Sequence, residues 1–317
     1  MGAQIGRFVA RRLGALVVTL LAASLIIYGA LHLSPGDPAA LLAGGRNPSP
    51  ETLAAIRAEY HLDDPFWARY WHWLSGVFQW DLGKSMSFGD QVSNLISARL
   101  TNTLFLVGYA ALLIIFFGLA TGIAGALAGK AVNTVITTTT SLLMAVPTFV
   151  AAIVLIWLFA TKLNWLPVFG SGTGFGDRIE HLTLPALALT ASYIAYVSRV
   201  IRSALSSELH GEHVETARSR GVRMPSIVRR HVLRNAAAPV LTVSGLTVAG
   251  LIAGTVVVEQ AFGVSGIGSL LVLAAQKQDF VVVQDIALLM VAAFVVVNTV
   301  VDLVSAVLDR RLLRTGV

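Results

Sequence analysis

The side chains best suited by type to do chemistry lie in a polar island, residues 210–235, set between two strongly apolar stretches. It opens on His210-Gly211-Glu212-His213 and continues through Val214-Glu215-Thr216-Ala217-Arg218-Ser219-Arg220-Gly221. It also carries Arg223, Arg229, Arg230 and Arg234. Imidazole and carboxylate are metal-ligand types, but His210 and His213 miss the spacing of a His-Glu-x-x-His helix, which sets two histidines on one face. Gly263-Val264-Ser265-Gly266 breaks the register of a Gly-x-Ser-x-Gly nucleophile turn. In Gly125-Ala126-Leu127-Ala128-Gly129-Lys130-Ala131 the glycines stand one residue too close for a phosphate loop, and Ala131 lacks the hydroxyl that holds magnesium. The expectation is no catalytic residue, no metal site and no cofactor bound by the chain itself.

Asp302, with Asn298 one turn before it, is the clearest ionisable group inside an apolar stretch. Intramembrane acids are functional candidates by default. The favoured reading is a pairing with a neighbouring helix or a terminal arginine; a place in a translocation pathway is the alternative. No chain of acids and histidines accompanies it, which argues against a proton-coupled carrier, and no selectivity-filter pattern occurs.

The elements that must position these groups are set by composition. At 317 residues, 56% hydrophobic and 13% charged, with mean hydropathy +0.75, the chain reads as an integral membrane protein. Six stretches approach or exceed the roughly 20 residues that cross a bilayer core. They run over 13–33, 103–127, 135–160, 184–205, 237–258 and 286–308. All read as helices, because in lipid the backbone must satisfy its own hydrogen bonds. The first resembles a signal peptide but is long for a signal core and lacks a clear cleavage site, so it reads as an uncleaved span.

With a cytoplasmic N-terminus, 15 of the 23 Lys and Arg fall inside but only 5 of the 17 acids. The chain's net +6 is then a topology signal, and no nucleic-acid partner is expected. Absent cysteine removes disulfides and thiol chemistry. The expected organisation is 1–33 for the N-terminus and first span, 34–100 for an extracytoplasmic segment, and 101–308 for a five-helix core. That core includes a cytoplasmic loop, 206–236, and the cytoplasmic tail is 309–317. The protein is thus expected in the cell membrane, multi-pass, with both termini cytoplasmic.

Glycine pairs at four-residue spacing, Gly118 with Gly122, Gly125 with Gly129 and Gly250 with Gly254, read as close helix packing within the chain. In the external segment, Ser34-Pro35-Gly36-Asp37-Pro38 is a turn-rich exit, and Ser49 caps a short helix begun by Pro50. Leu53, Ile56 and Tyr60 share its face, with Phe66, Trp67, Tyr70, Trp71 and Trp73 as the expected partner. That aromatic group reads as interfacial anchoring together with a miniature core; contact with an external protein is the third reading.

Within the island, residues 211–220 read as a short helix closed by Gly221 at C′, with Val222 as the apolar C″ contact. Glu212 and Glu215 come early, Arg218 and Arg220 late, the order the helix dipole favours. Pro225 then starts a second, basic-faced helix. Physically, this describes either a helix resting on anionic lipid or one shaped to dock on a partner.

Glu215-Thr216-Ala217, with Gly221 six positions after the Glu, resembles the EAA loop of binding-protein-dependent ABC importer permeases. The version here, continuing to Arg230-His231-Val232-Leu233-Arg234-Asn235 and Pro239, is similar to the dipeptide/oligopeptide/nickel branch, the DppB/OppB-type permeases. The likeness runs along nearly the whole chain. It includes Arg11-Arg12, Leu62-Asp63-Asp64-Pro65, Asp81-Leu82-Gly83-Lys84-Ser85 and Arg99 through Leu104. It continues in Leu166-Pro167-Val168, Leu184-Pro185-Ala186, Arg199 with Arg202, Glu259 through Phe262, Gly266-Ile267-Gly268, and Asn298 with Asp302 and Asp309. Thr216 departs from the first alanine of EAA, Ser265 and Asn102 stand where prolines are usual, and Trp80 where glycine is. The downstream Ile-x-Leu-Pro ending is not kept.

The resemblance implies an all-α, six-helix type I importer permease without its own ATPase. ATP and magnesium would sit on two partner ATPase subunits, beside a second homologous permease, an extracytoplasmic solute-binding protein, membrane lipid and a peptide substrate. Gly211, Glu212, Glu215, Thr216, Ala217, Arg218 and Gly221 would form the coupling helix, with Glu215, Ala217 and Gly221 seating it. Glu259, Phe262, Gly266 and Gly268 would serve an external gate or binding-protein contact, and Asn298 and Asp302 the pathway or helix packing. The alternatives are an ion-coupled secondary transporter and a non-transporting scaffold or receptor.

Overall fold

The computed structural model describes residues 2–33, 49–59, 63–85 and 87–308. The exit 34–38, Tyr60, Leu62 and the tail from Asp309 lie outside the described residues. Among the described residues every regular element is a helix; the extended backbone pairs once, in an isolated bridge between Lys84 and Gln91. In chain order the helices are α1 Gly2–His32, α2 Pro50–Glu59, α3 Phe66–Gln79, α4 Val92–Leu127 and α5 Lys130–Ala145. Next come α6 Thr148–Leu155, extended by a π-helical stretch Ile156–Lys162, then α7 Phe175–Leu209 and α8 Glu212–Ser219. The last are α9 Met224–Ile227, with a π-helical stretch Val228–Val232, α10 Leu233–Ala261, α11 Ile267–Gln276 and α12 Phe280–Leu308.

Helices α1, α4, α7, α10 and α12 each hold a stretch long and apolar enough to cross a bilayer. The third expected span is not one helix. α5 and α6 meet at a 100° bend, at Val146-Pro147, where Val146 takes ψ 120°. Proline lacks an N–H and disfavours the helical region for the preceding residue, so Pro147 permits the break, whereas Pro185 and Pro239 are held inside α7 and α10.

The pair nevertheless makes one crossing. Tyr109 of α4 lies 3.1 Å from Thr183 of α7, Gly118 lies against Val197, and Gly122 against Ile201. These partners rise together, so α4 and α7 run parallel. The chain between them must return from one end of the bundle to the other. Antiparallel contacts fix the rest: Gly254 with Leu189 and Gly250 with Tyr193 for α10 on α7, Thr242 with Ser305 for α10 on α12, and Arg12 with Asp302 for α1 on α12. Six crossings result. One end, called the basic end below, gathers the start of α1, the end of α7, α8 and the end of α12.

The core centres on α7. Its Leu182, Leu184, Leu189, Val197, Ile201 and Leu205 are buried against Leu106 and Ile114 of α4 and Leu251 and Val258 of α10. A Cβ on Gly118 would stand 2.7 Å from Val197, and one on Gly122 2.8 Å from Ile201, so these glycines set the α4–α7 approach as expected of small residues in lipid. Gly129 is different, with nothing near it. Outward-facing Ile26, Leu112 and Phe116 are 69%, 68% and 67% exposed, the apolar surface a bilayer covers.

At the opposite end α3 forms the expected miniature core, here against α1. Tyr70 and Leu74 are buried, and Trp73 stacks on Tyr28 of α1 at 5.3 Å. Trp67, Trp71 and Phe78 remain exposed beside that small core, where interfacial aromatics sit. Upstream, Ser49 Oγ accepts a hydrogen bond from the Thr52 N–H at 3.2 Å, capping α2.

Candidate functional site

α8 is eight residues long, too short to be stable by itself in water. Tertiary packing holds it at the basic end. Val214 is fully buried in the main core, and Ala217, one turn on, packs half-buried against the same core. The His213 imidazole lies 3.4 Å from the Glu208 carboxylate, bracing α8 against the end of α7. Gly221 takes the left-handed conformation at φ +76°. Its N–H donates to the Arg218 carbonyl at 2.9 Å, and the Val222 N–H donates to the Ala217 carbonyl at 3.1 Å. That bond pair is a Schellman ending. The Val222 side chain stays 40% exposed, so the backbone, not the expected apolar contact, makes the stop.

Glu212, Glu215, Thr216, Arg218 and Ser219 are exposed. Thr216, standing in place of an alanine, donates its hydroxyl to the Glu212 carbonyl at 2.9 Å within its own helix. Among the residues expected to seat the helix on a partner, Glu215 is free to do so and Gly221 shapes the ending. Ala217 is turned toward the chain's own core; its small size serves internal packing. The expected second helix is not separate either. It opens at α9, with Pro225 in its first turn, and runs through the π-helical stretch into α10, so the basic segment is the base of the fifth crossing.

Between α7 and the start of α10 a cleft of about 560 Å³ opens, lined by Arg199, Ser203, Ser207, Glu208, Ala236 and Pro239. Arg199 donates to Ser141 Oγ at 3.2 Å. Arg202, one turn on, is tied to α5 through Asn133 Oδ1 at 2.7 Å and Thr137 Oγ1 at 2.6 Å. Near the same end Asp302 pairs with Arg12 at 3.0 Å, the helix pairing favoured from sequence. The buried Asn298 Oδ1 has no hydrogen-bond partner among the described residues.

At the opposite end Glu259 is fully buried. Its Oε1 accepts from Thr103 Oγ1 at 2.6 Å and its Oε2 from the Ser269 N–H at 2.9 Å. Thr103 Oγ1 in turn accepts from the Ile267 N–H at 2.8 Å. The carboxylate thus caps the start of α11, where helix N–H groups lack partners. Gly266 lies against that carboxyl, and a Cβ on Gly268 would stand 2.6 Å from the Val256 Cα. Glu259, Phe262, Gly266 and Gly268, expected at an external gate or binding-protein contact, are all buried. Glu259, Gly266 and Gly268 form an internal knot joining α4, α10 and α11, while Phe262 packs in the main core. Asn102 and Ser265, standing where prolines are usual, meet above it: Asn102 Nδ2 donates to the Ser265 carbonyl at 2.9 Å.

Two buried acids escaped sequence reasoning. Asp279 accepts from Ser85 Oγ at 2.6 Å and from the Ser87 N–H at 2.9 Å. Asp285 accepts from Trp73 Nε1 at 2.7 Å. Both tie the segment between α1 and α4 to the start of α12. Asp285 precedes the expected span by a single residue, and the isolated aspartates of an otherwise apolar run were the only signal.

Residues 114–314 match the family described as "Binding-protein-dependent transport system inner membrane component", and residues 5–107 match its N-terminal family. The chain is 33% identical over 311 residues to the "Probable peptide ABC transporter permease protein y4tP" of Sinorhizobium fredii, covering 97% of this chain and 99% of that one. It is 34% identical over 303 residues to the "Glutathione transport system permease protein GsiC" of Salmonella typhimurium, covering 95% and 97%. In fold it resembles the inward-facing MetNI methionine ABC transporter, with TM-score 0.58 at 16% identity over 68% of this chain and 96% of that one. An amino acid ABC transporter solved with histidines gives TM-score 0.52 at 18% identity, over 69% and 94%.

Proposed function

Since this chain belongs to the binding-protein-dependent transport system inner membrane components, and is a multi-pass permease subunit of an ABC importer, we propose that it forms part of the path for di- or oligopeptides. The names of its relatives, one for peptide and one for glutathione, itself a small peptide, support that substrate class. The basic end is cytoplasmic in this reading, as the Lys and Arg bias favours. The observation that carries it is α8: an exposed helix at the basic end, anchored by Val214 and closed at Gly221, with Glu212, Glu215 and Ser219 facing outward.

α8 docks on an ATPase subunit that holds ATP and magnesium, opposite a second permease and its ATPase. A solute-binding protein delivers the peptide at the other end. ATP-driven closure of the ATPases draws the two coupling helices together and inverts access. Inverting a two-state equilibrium from 1:99 to 99:1 takes about 5.5 kcal/mol of differential binding, which a large protein–protein contact can transmit.

The test is Glu215→Arg in the complete reconstituted importer. The residue is exposed, so the permease is expected to fold while ATPase docking and ATP-driven peptide uptake fall together. Ala217→Arg is a poorer probe, since it also disturbs the packing around Val214. Unchanged docking and uptake in the Glu215 variant would remove α8 from the ATPase contact. Uptake that persists without ATPase subunits and collapses with the proton gradient would favour an ion-coupled carrier instead.

A further inference from the structure

The exposed faces of α1, α4 and α12 carry large apolar side chains, such as Ile26, Leu112 and Val300. The second half of α7 differs. Between residues 190 and 209 its exposed residues are Tyr196, Arg199, Ser203 and Ser207, spaced three or four apart and therefore on one narrow stripe. Tyr196, Arg199 and Ser203 fall within the apolar span expected at 184–205. A cationic and hydroxylic stripe at that depth is costly against lipid and is found facing protein or water. It also borders the cleft beside α10, where Arg199, Ser203 and Ser207 stand with Glu208.

Resting on the importer reading above, we infer that this stripe lines the basic-end half of the peptide's path, with Arg199 receiving the peptide's carboxylate as it passes. One Arg199 nitrogen is held by Ser141. The guanidinium keeps other N–H donors, in a planar fork that matches a carboxylate. Ser203 and Ser207 continue the hydroxyl lining toward the end of α7, where the Glu208 carboxylate, paired with His213, closes the row.

The chain has no cysteine, so single cysteines can be read directly. In inside-out vesicles carrying the complete importer, Ser203→Cys and Ser207→Cys are treated with a membrane-impermeant cationic methanethiosulfonate, and the mass added to this chain is followed. Leu112→Cys, on the apolar face of α4, is the control. Water-exposed thiols ionise and react, so both serine positions should label about tenfold faster than the control, at rates that change between nucleotide-free and ATP–vanadate-trapped states. Arg199→Gln should slow peptide flux severalfold with ATPase docking intact.

Uptake by the unsubstituted importer is measured first; its absence would overturn the importer reading itself. Normal uptake with Ser203→Cys no faster than the control overturns the stripe alone. Labelling that ignores nucleotide state but slows with added anionic lipid assigns the cleft to lipid headgroups and also overturns it. Unchanged flux in Arg199→Gln removes Arg199 from the path.

Discussion

A substitution series at Gly221 measures how far the α8 ending depends on a left-handed residue. The position has φ +76°, and nothing lies within 4 Å of where a Cβ would stand. A side chain there costs only conformational energy. For an ordinary L-residue the left-handed conformation costs about 1–2 kcal/mol, and replacing glycine by alanine recovers about 0.4–1 kcal/mol by restricting the unfolded chain. The net is about 0–1.6 kcal/mol for Gly221→Ala, near 0.8 at the midpoints. It is smaller for Gly221→Asn, whose side chain tolerates this region, and larger for β-branched Gly221→Val. With about 1.4 kcal/mol per tenfold, hydrogen exchange of the residue 221 and 222 amides should speed up roughly fourfold in the alanine variant. Those amides report the two bonds of the ending, to Arg218 and Ala217. Peptide-stimulated ATPase activity in the reconstituted importer should fall in the same order: Asn, Ala, Val. A valine variant that exchanges as slowly as glycine, or an asparagine variant worse than alanine, would refute the argument from conformation.

Glu259→Ala strands the part-buried Ser269 N–H and leaves a void, a cost of about 2–4 kcal/mol. Glu259→Gln, which keeps one acceptor, should lose less than half of that; thermal unfolding in detergent ranks the three proteins, and an alanine variant as stable as the parent would dissolve the knot. Gly122→Leu should force α4 off α7 at a cost of about 3 kcal/mol or more, seen as lost folded yield, while Gly129→Leu, with nothing nearby, is tolerated. Trp80 ends α3 at φ +61° with 62% of its surface exposed, so Trp80→Gly should hold stability level or raise it by up to about 1 kcal/mol. A clear drop in the same melting assay would mean the indole makes a contact worth more than its strain.

The sequence by itself determined what depends on solvent and on local chemistry. A run such as 103–127 must be helical in lipid whatever surrounds it, and Gly221 announces the end of α8 because only a residue without Cβ is at ease at positive φ. The break at Pro147 is only half local: Pro185 and Pro239 stay inside α7 and α10, so a proline marks where a helix can break and the bundle decides whether it does. What the tertiary structure decided is direction and partnership. Ala217 and Glu215 differ by two residues, and only packing says that one turns to the core beside Val214 while the other faces out. The partners of the Glu259 carboxylate, the Ser269 N–H and the Thr103 hydroxyl, are set only by how the start of α11 folds beside α4 and α10. Arg199 and its serines are scattered letters in the sequence; the 3.6-residue turn of α7, and the full or partial burial of the other side chains around it, make them one polar stripe. Hydrophobicity acts on each segment separately, so a sequence reports it. Which face is left over depends on what the other helices cover, and that is a property of the bundle.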